Sequence, residues 1–212
     1  QQIYQEGDTN YAGRYVFTGY KTNTSLVFDE TQSNEKYEIT EQFGSENIDV
    51  IKKAVNDCNL SQYDPDNPGD TDLSNKPNMV DVYRIRLSYN SLDDPQEDGK
   101  IEIRIPQFDD EGNITGYDEI TDIDSMLSTE EGAYELEDGD GIRYLPDTGE
   151  LLLSKDMYDE LRYEDKIEVT YEKTNFIKND LRPEHYFNCT VTDLSDEDKE
   201  PIVYTKENQE IK

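Results

Sequence analysis

Hydrophobic and polar residues alternate with a period of two in three places. Tyr83, Ile85, Leu87 and Tyr89 alternate with Arg84, Arg86 and Ser88. Ile101, Ile103 and Ile105 alternate with Glu102 and Arg104, and Ile167, Val169 and Tyr171 with Glu168, Thr170 and Glu172. Successive side chains of a strand point to opposite faces, so each run predicts a strand with one buried and one wet face. The polar stretch 90–100 between the first two runs suits a hairpin loop. A second hairpin is predicted at Pro146-Asp147-Thr148-Gly149, between 142–145 and 151–153, because proline early and glycine last suit a type I turn. Further strands are expected at 36–43, 186–192 and 202–205. Pro106 and Pro201 belong at strand ends or edges, since proline cannot donate to a ladder.

Two short helices interrupt this pattern. Ser45 can cap a helix that places Ile48, Ile51 and Val55 on one side, with Glu46 and Asp49 early and Lys52 and Lys53 late, as the helix dipole favours. A second helix is predicted from Ser154 through Met157, Tyr158 and Leu161. Polar, acidic loops fill 62–78, 93–99, 109–112 and 194–200, and no internal repeat is present. The expected fold is mainly β, an antiparallel β-sandwich-like domain with one or two short helices. It spans 23–205, and a nested subdomain over 77–175 is compatible with the loop positions.

Composition narrows the reading. Hydrophobic residues make up 33% of the chain and the net charge is −31, which leans toward disorder. The 16 Tyr and 6 Phe argue the other way by supplying large apolar surface for a modest core. With 51 acidic against 20 basic residues and no basic run, the chain is unsuited to nucleic acid or to an anionic membrane. No apolar stretch approaches the roughly 18–20 residues of a membrane span, and no basic-then-apolar segment opens the chain. A start at Gln1 rather than Met reads as a processed product or an excised piece. Cys58 and Cys189 are too few for a disulfide scaffold or a zinc site. Cys189 shares parity with Phe187 and Val191 and so reads as a buried strand thiol, with a bond to Cys58 left open.

Candidate chemistry is thin. Asp64-Pro65-Asp66-Asn67-Pro68-Gly69-Asp70 and Glu137-Asp138-Gly139-Asp140-Gly141 look friendly to calcium, but neither fits an EF-hand loop. Pro68 stands where a ligand should be and Asn75 where the terminal Glu should be, while Ile142 and Arg143 break the second pattern. Paired carboxylates for acid–base work cannot be located among so many acids. No Gly-x-Ser-x-Gly elbow or phosphate-binding glycine loop occurs. His185 lacks a nucleophile or partner motif and reads as a strand-start residue with an ordinary hydrogen bond. No catalytic, cofactor or metal residue is assigned.

One stretch is more specific. In Asn10-Tyr11-Ala12-Gly13-Arg14-Tyr15-Val16-Phe17-Thr18-Gly19-Tyr20-Lys21-Thr22, Tyr15 and Phe17 share one parity between Gly13 and Gly19, which alone describes a short aromatic strand between turns. The stretch also resembles a signature of the flagellin-like hook-associated proteins at the bacterial hook–filament junction. Its marker positions are Asn10, Tyr11, Gly13, Arg14, Tyr15, Phe17, Gly19, Tyr20 and Thr22. A weaker likeness covers Tyr171-Glu172-Lys173-Thr174 and Asp180-Leu181-Arg182-Pro183-Glu184-His185-Tyr186-Phe187. Ser25-Leu26-Val27-Phe28 departs from the family by keeping the Phe and losing a preceding Pro.

The resemblance implies an outer region whose long rod helices are missing. Residues 1–22 would be the end of the N-terminal rod helix with the strand and turn that follow it, and 206–212 the return toward the C-terminal one. It further implies a mechanical role outside the cell, with export through the flagellar secretion channel and no cofactor. Partners would be neighbouring copies, the hook-side junction protein and flagellin, reached through the missing helices, so the fragment itself should be monomeric. Two other classes stay open: a secreted β-rich glycan-binding or adhesin-like module, and a carbohydrate-active enzyme. The absence of Trp counts mildly against both.

Overall fold

The computed structural model describes residues 24–55, 66 and 78–205, together with the paired strands β1 (Asn10–Tyr11) and β2 (Arg14–Tyr15). In chain order the further strands are β3 (Glu35–Phe43), β4 (Ile48–Ala54), β5 (Met79–Arg86), β6 (Ile101–Phe108) and β7 (Ile114–Ile120). After them come β8 (Ile123–Ser125), β9 (Ile142–Leu145), β10 (Glu150–Leu153), β11 (Ile167–Lys173), β12 (Asn188–Asp193) and β13 (Ile202–Tyr204). The helical pieces are α1 (Lys155–Leu161) and two 3-10 turns at Ser45–Asn47 and Pro183–His185. The molecule is therefore mainly β with one short α-helix, as the alternation predicts. The chain forms two compact units, passing between them at 42/43, 90/91, 120/121 and 166/167. The segment 77–175 contributes to both.

The first unit holds a six-stranded sheet in the order β13-β12-β3-β11-β6-β7, whose recorded strand pairs are antiparallel. Its apolar face follows strand parity: Tyr37 and Ile39 of β3, Ile103 and Ile105 of β6, Val169 and Tyr171 of β11, Cys189 and Val191 of β12 are all buried. Phe28, Tyr37 and Phe176 form an aromatic cluster with ring centroids 4.6–6.0 Å apart. Bridges Val27↔Leu181 and Gln32↔Phe176 hold the loops that carry two of these rings. The opposite face is a ladder of charges. Lys36 meets Glu172 at 2.7 Å, Lys100 meets Glu38 at 3.0 Å, and Arg104 meets Glu168 at 3.0 Å.

β11 departs from the expectation of one wet face. Glu168, Thr170 and Lys173 are as buried as the apolar residues between them. Burial is tolerated because each is bonded: Glu168 accepts from Gln42 and Arg104, Thr170 faces Thr40 at 2.8 Å, and Lys173 donates to a carbonyl. The place of β11 in the interior of the sheet, which its own residues do not encode, makes the difference.

The second unit holds the sheet β4-β5-β10-β9-β8, antiparallel except for the parallel pair β8–β9. Val82, Ala133, Leu145 and Leu152 make one core cluster, joined by Ile51, Val80, Met126, Tyr134 and Leu136. Central β10 is buried along its whole length. α1 has only seven residues, too short to persist alone, and is held by buried Leu161 and by Tyr158 stacked on Tyr83 at 4.1 Å. Ser154 occupies its N-cap position, as predicted.

Several expectations are corrected. The helix starting at Ser45 is a single 3-10 turn followed by strand β4. Gly44 N–H bonds Asn47 Oδ1 at 2.9 Å and Asn47 N–H returns to Gly44 O at 3.0 Å, which closes the turn. The β-branched run that follows pairs with β5 over its full length, and that pairing overrides the helical spacing. The stretch 90–100 is not a hairpin loop: β5 and β6 lie in different sheets, and Asp93 bonds Glu172 and Thr174 instead. Pro106 lies inside β6 rather than at its end, but beyond Arg104, the last residue that β11 pairs, so only one side of the ladder runs there. The hairpin at Pro146–Gly149 is present as expected, with Leu145 opposite Glu150. β4, β7 and β8 were not anticipated as strands.

Candidate functional site

Of the signature positions, Asn10 and Tyr11 pair antiparallel with Tyr15 and Arg14. Gly13, Phe17, Gly19, Tyr20 and Thr22 lie outside the described residues, as do Cys58 and, apart from Asp66, the first calcium-like stretch. The second calcium-like stretch uses its polar groups on its own backbone and neighbours. Asp140 accepts from Glu137 N–H at 2.8 Å, and Gly139 N–H donates to Asp156 at 3.2 Å. Among the described residues no group of three or more His, Cys, Asp or Glu is placed to hold a metal ion.

His185 ends the 3-10 turn that leads into β12 rather than starting the strand. Its Nε2 lies 2.8 Å from Ser25 O. Sequence separation between those residues is 160, so the contact pins the segment before β3 to the one before β12. This is the ordinary hydrogen bond expected of it, made in a different element.

The most developed polar arrangement lies in the second unit. Glu150, nearly buried at the start of β10, accepts from Arg84 and from Tyr134 Oη at 3.0 Å, with Thr148 Oγ1 at 3.1 Å. Lys53 Nζ sits 3.0 Å from the centre of the Tyr134 ring. Beside them a cavity of about 710 Å³ is lined by the end of β4 and by Ser128 through Glu135. The loop that walls it is fixed from two sides. Arg143 donates to the carbonyls of Gly132 and Glu135 at 2.8 and 3.0 Å, and Ser128 bonds Asp147 through N–H and Oγ.

Electrostatics decide what this cluster can do. Burial, then the charge of Glu150, pushes the Tyr134 phenol up to about 12, so it stays protonated at neutral pH. Burial lowers Lys53, partly opposed by Glu150. Arg84 donates to one oxygen of the Glu150 carboxylate and Tyr134 and Thr148 to the other, three of its about four acceptor positions. The arrangement braces a sheet and its covering loop.

A buried cation stands out in the first unit. Lys173, 2% exposed, donates to Ser91 O at 3.0 Å and lies 5.1 Å from the Phe176 ring centre. Ser91 is in the left-handed region, φ 50. Burial lowers the Lys173 ammonium, and Asp180 and Asp93 offset part of that. Asp93 is itself held by Thr174 N–H and Oγ1 at 3.2 and 2.7 Å. The effect is to fasten the loop after residue 90 to the end of β11.

Lys53, Tyr134, Glu150 and Lys173 are not legible as sites in the sequence: apart from Thr148 beside Glu150 and Phe176 beside Lys173, the partners that fix them lie 16 to 82 positions away (Glu150 − Tyr134 = 16; Lys173 − Ser91 = 82). Lys53 enters the sequence reading only as a late residue of the expected helix, and Lys173 only beside Thr174 in the weaker likeness. Among the described residues no helix is long and apolar enough to cross a membrane. No protein-family model, no curated protein and no solved structure matches this chain.

Proposed function

We propose that this chain is the surface-exposed outer region of a structural protein of the bacterial flagellum, of the hook–filament junction type. The observation that carries the reading is the Asn10-to-Thr22 stretch, with its Gly-Arg-Tyr-Val-Phe-Thr-Gly-Tyr core. The fold supports it in one respect. β3, near the start of the described chain, pairs antiparallel with β12, near its end, over six residues, so incoming and outgoing segments run side by side in one unit. An outer domain set between two antiparallel rod helices needs that arrangement. The polar clusters serve as braces, in keeping with a mechanical rather than a catalytic part. Acidic surface opposes nonspecific sticking between exposed copies. The protein would act outside the cell, linking hook to filament beside copies of itself, the hook-side junction protein and flagellin.

Antibodies raised against this chain test the proposal by immunogold electron microscopy of flagella from the source bacterium. Gold confined to the hook–filament junction is expected. Labelling along the cell wall, or none on flagella from a strain that expresses the protein, overturns it.

A further inference from the structure

β13 is the most weakly anchored strand of the six-stranded sheet. It has three residues, and among the described residues β12 is its only strand neighbour. Ile202 and Val203 are 45% and 59% exposed, so little apolar area holds it down. Pro201, just before it, has no N–H with which to extend the ladder. Residues 194–200, which lead into it, are all exposed. Few buried contacts and solvent-facing backbone bonds mark a segment that opens locally, apart from the rest of a fold.

What β13 covers is buried. Tyr204 stands directly across from Cys189, Val203 from Thr190 and Ile202 from Val191. Opposed residues are neighbours on one face, so Tyr204 flanks the Cys189 thiol, which is 4% exposed. β12 has six residues and no Lys or Pro, so β13 also guards an edge that is otherwise ready to pair.

The loop before β13 is tied at two points. Leu194 N–H bonds Asn34 O at 2.7 Å and fixes its start. Further along, Lys199 returns to Asp193 at 2.7 Å. Asp193 faces Glu35 across the β12–β3 pair, two carboxylates side by side, and Lys199 offsets their repulsion. Lys199, then Ser195, hold the Asp193 carboxyl down to about 2.

We propose that β13 and its loop form a latch that opens as a unit while the rest of the sheet stays formed. Opening bares the outer edge of β12 and the Cys189 thiol together. Lys199 is the positioning residue that keeps the latch shut. The inference does not depend on a flagellar role.

Amide hydrogen exchange on the whole 15N-labelled chain tests it. Successive amides of β12 point alternately to β13 and to β3. Those bonded to β13 should exchange at least about tenfold faster, with little dependence on dilute urea. In a Cys58→Ser chain, an aromatic disulfide reagent should label Cys189 without urea. Lys199→Ala should speed both readouts about two- to fivefold, the size of a surface ion pair, and Lys199→Arg should match the parent. The proposal fails if both sets of β12 amides exchange as slowly as those of β11, with the same urea dependence. It also fails if Cys189 reacts only in unfolding urea, or if Lys199→Ala changes neither rate.

Discussion

β11 and β7 lie on opposite flanks of the same strand, β6, and differ in nearly everything else. Six of the seven residues of β11 are buried, on both faces, and the polar ones are tied to Gln42, Arg104, Thr40 and Ser91. No residue of β7 is buried, and Tyr117 leans on Arg104 with the guanidinium 4.3 Å from its ring centre. β11 alternates apolar with polar residues, whereas β7 mixes Ile and Tyr with Thr, Gly and acids on both faces. The sheet widens the difference through the number of neighbours it gives each strand. A central strand must bond every polar group it carries, whereas an edge strand leaves them to water or to a partner.

The strongest way to break this contrast is Tyr171→Ala. The side chain is fully buried and its hydroxyl donates to buried Glu41. Truncation should cost about 4 kcal/mol, combining a cavity with the loss of the tyrosine donor to a buried carboxylate. A denaturant midpoint that barely moves would show that β11 is not the interior element described here.

The two hairpin turns sharpen the comparison next. Gly149, in the β9–β10 turn, has φ 68, and a Cβ there would fall 1.9 Å from Tyr89 O. Gly149→Ala should destabilise by about 2–4 kcal/mol, since strain and collision add. Gly112, in the β6–β7 loop, has φ 83 but open space around it, so Gly112→Ala should cost only about 1 kcal/mol. Equal losses in thermal unfolding would mean that crowding at Gly149 is relieved by local movement.

Lys173 at the end of β11 supplies a pH-dependent version. Its ammonium titrates below the ordinary value of 10.5 in the folded chain. Between the lowered value and 10.5 the unfolded chain holds more protons, so this residue makes stability rise with pH in that window. The cost of burying its charge is fully present below the window. Lys173→Met should remove that upward slope, seen as a shrinking stability difference between parent and variant across mildly alkaline urea titrations. A parallel pair of curves would show that Lys173 titrates normally.

The smallest effect belongs to β7. Tyr117→Ala should change stability by no more than about 0.5 kcal/mol, as expected of an edge residue with one ring contact. A loss comparable to that at Tyr171 would erase the distinction between the strands.

Legibility followed the same line. β6, β11 and the β9–β10 hairpin were readable because alternation and turn chemistry are local. The misread element, β4, shows the limit. Ile48, Ile51 and Val55 have helical spacing, and only pairing from Ile48↔Ile85 through Ala54↔Met79 makes the segment a strand. β7 was missed because its sequence Ile-Thr-Gly-Tyr-Asp-Glu-Ile carries glycine and adjacent acids, which read as loop. At the candidate site, Glu150 looked like the first residue after a turn, and nothing near it announces Arg84 or Tyr134.

The amino-acid order was enough to establish a β-rich, acidic chain with an aromatic core, since composition and period-two patterning are properties of the residues themselves. It also placed the turn at Gly149 and the short helix after Ser154, where one or two side chains set the backbone. Sheet membership, the burial of Glu168 and Lys173, the bracing of Tyr134 against Glu150 and the edge position of β7 came from the three-dimensional arrangement. Each depends on segments tens of residues apart meeting, and a strand's residues carry no record of how many neighbours it will have.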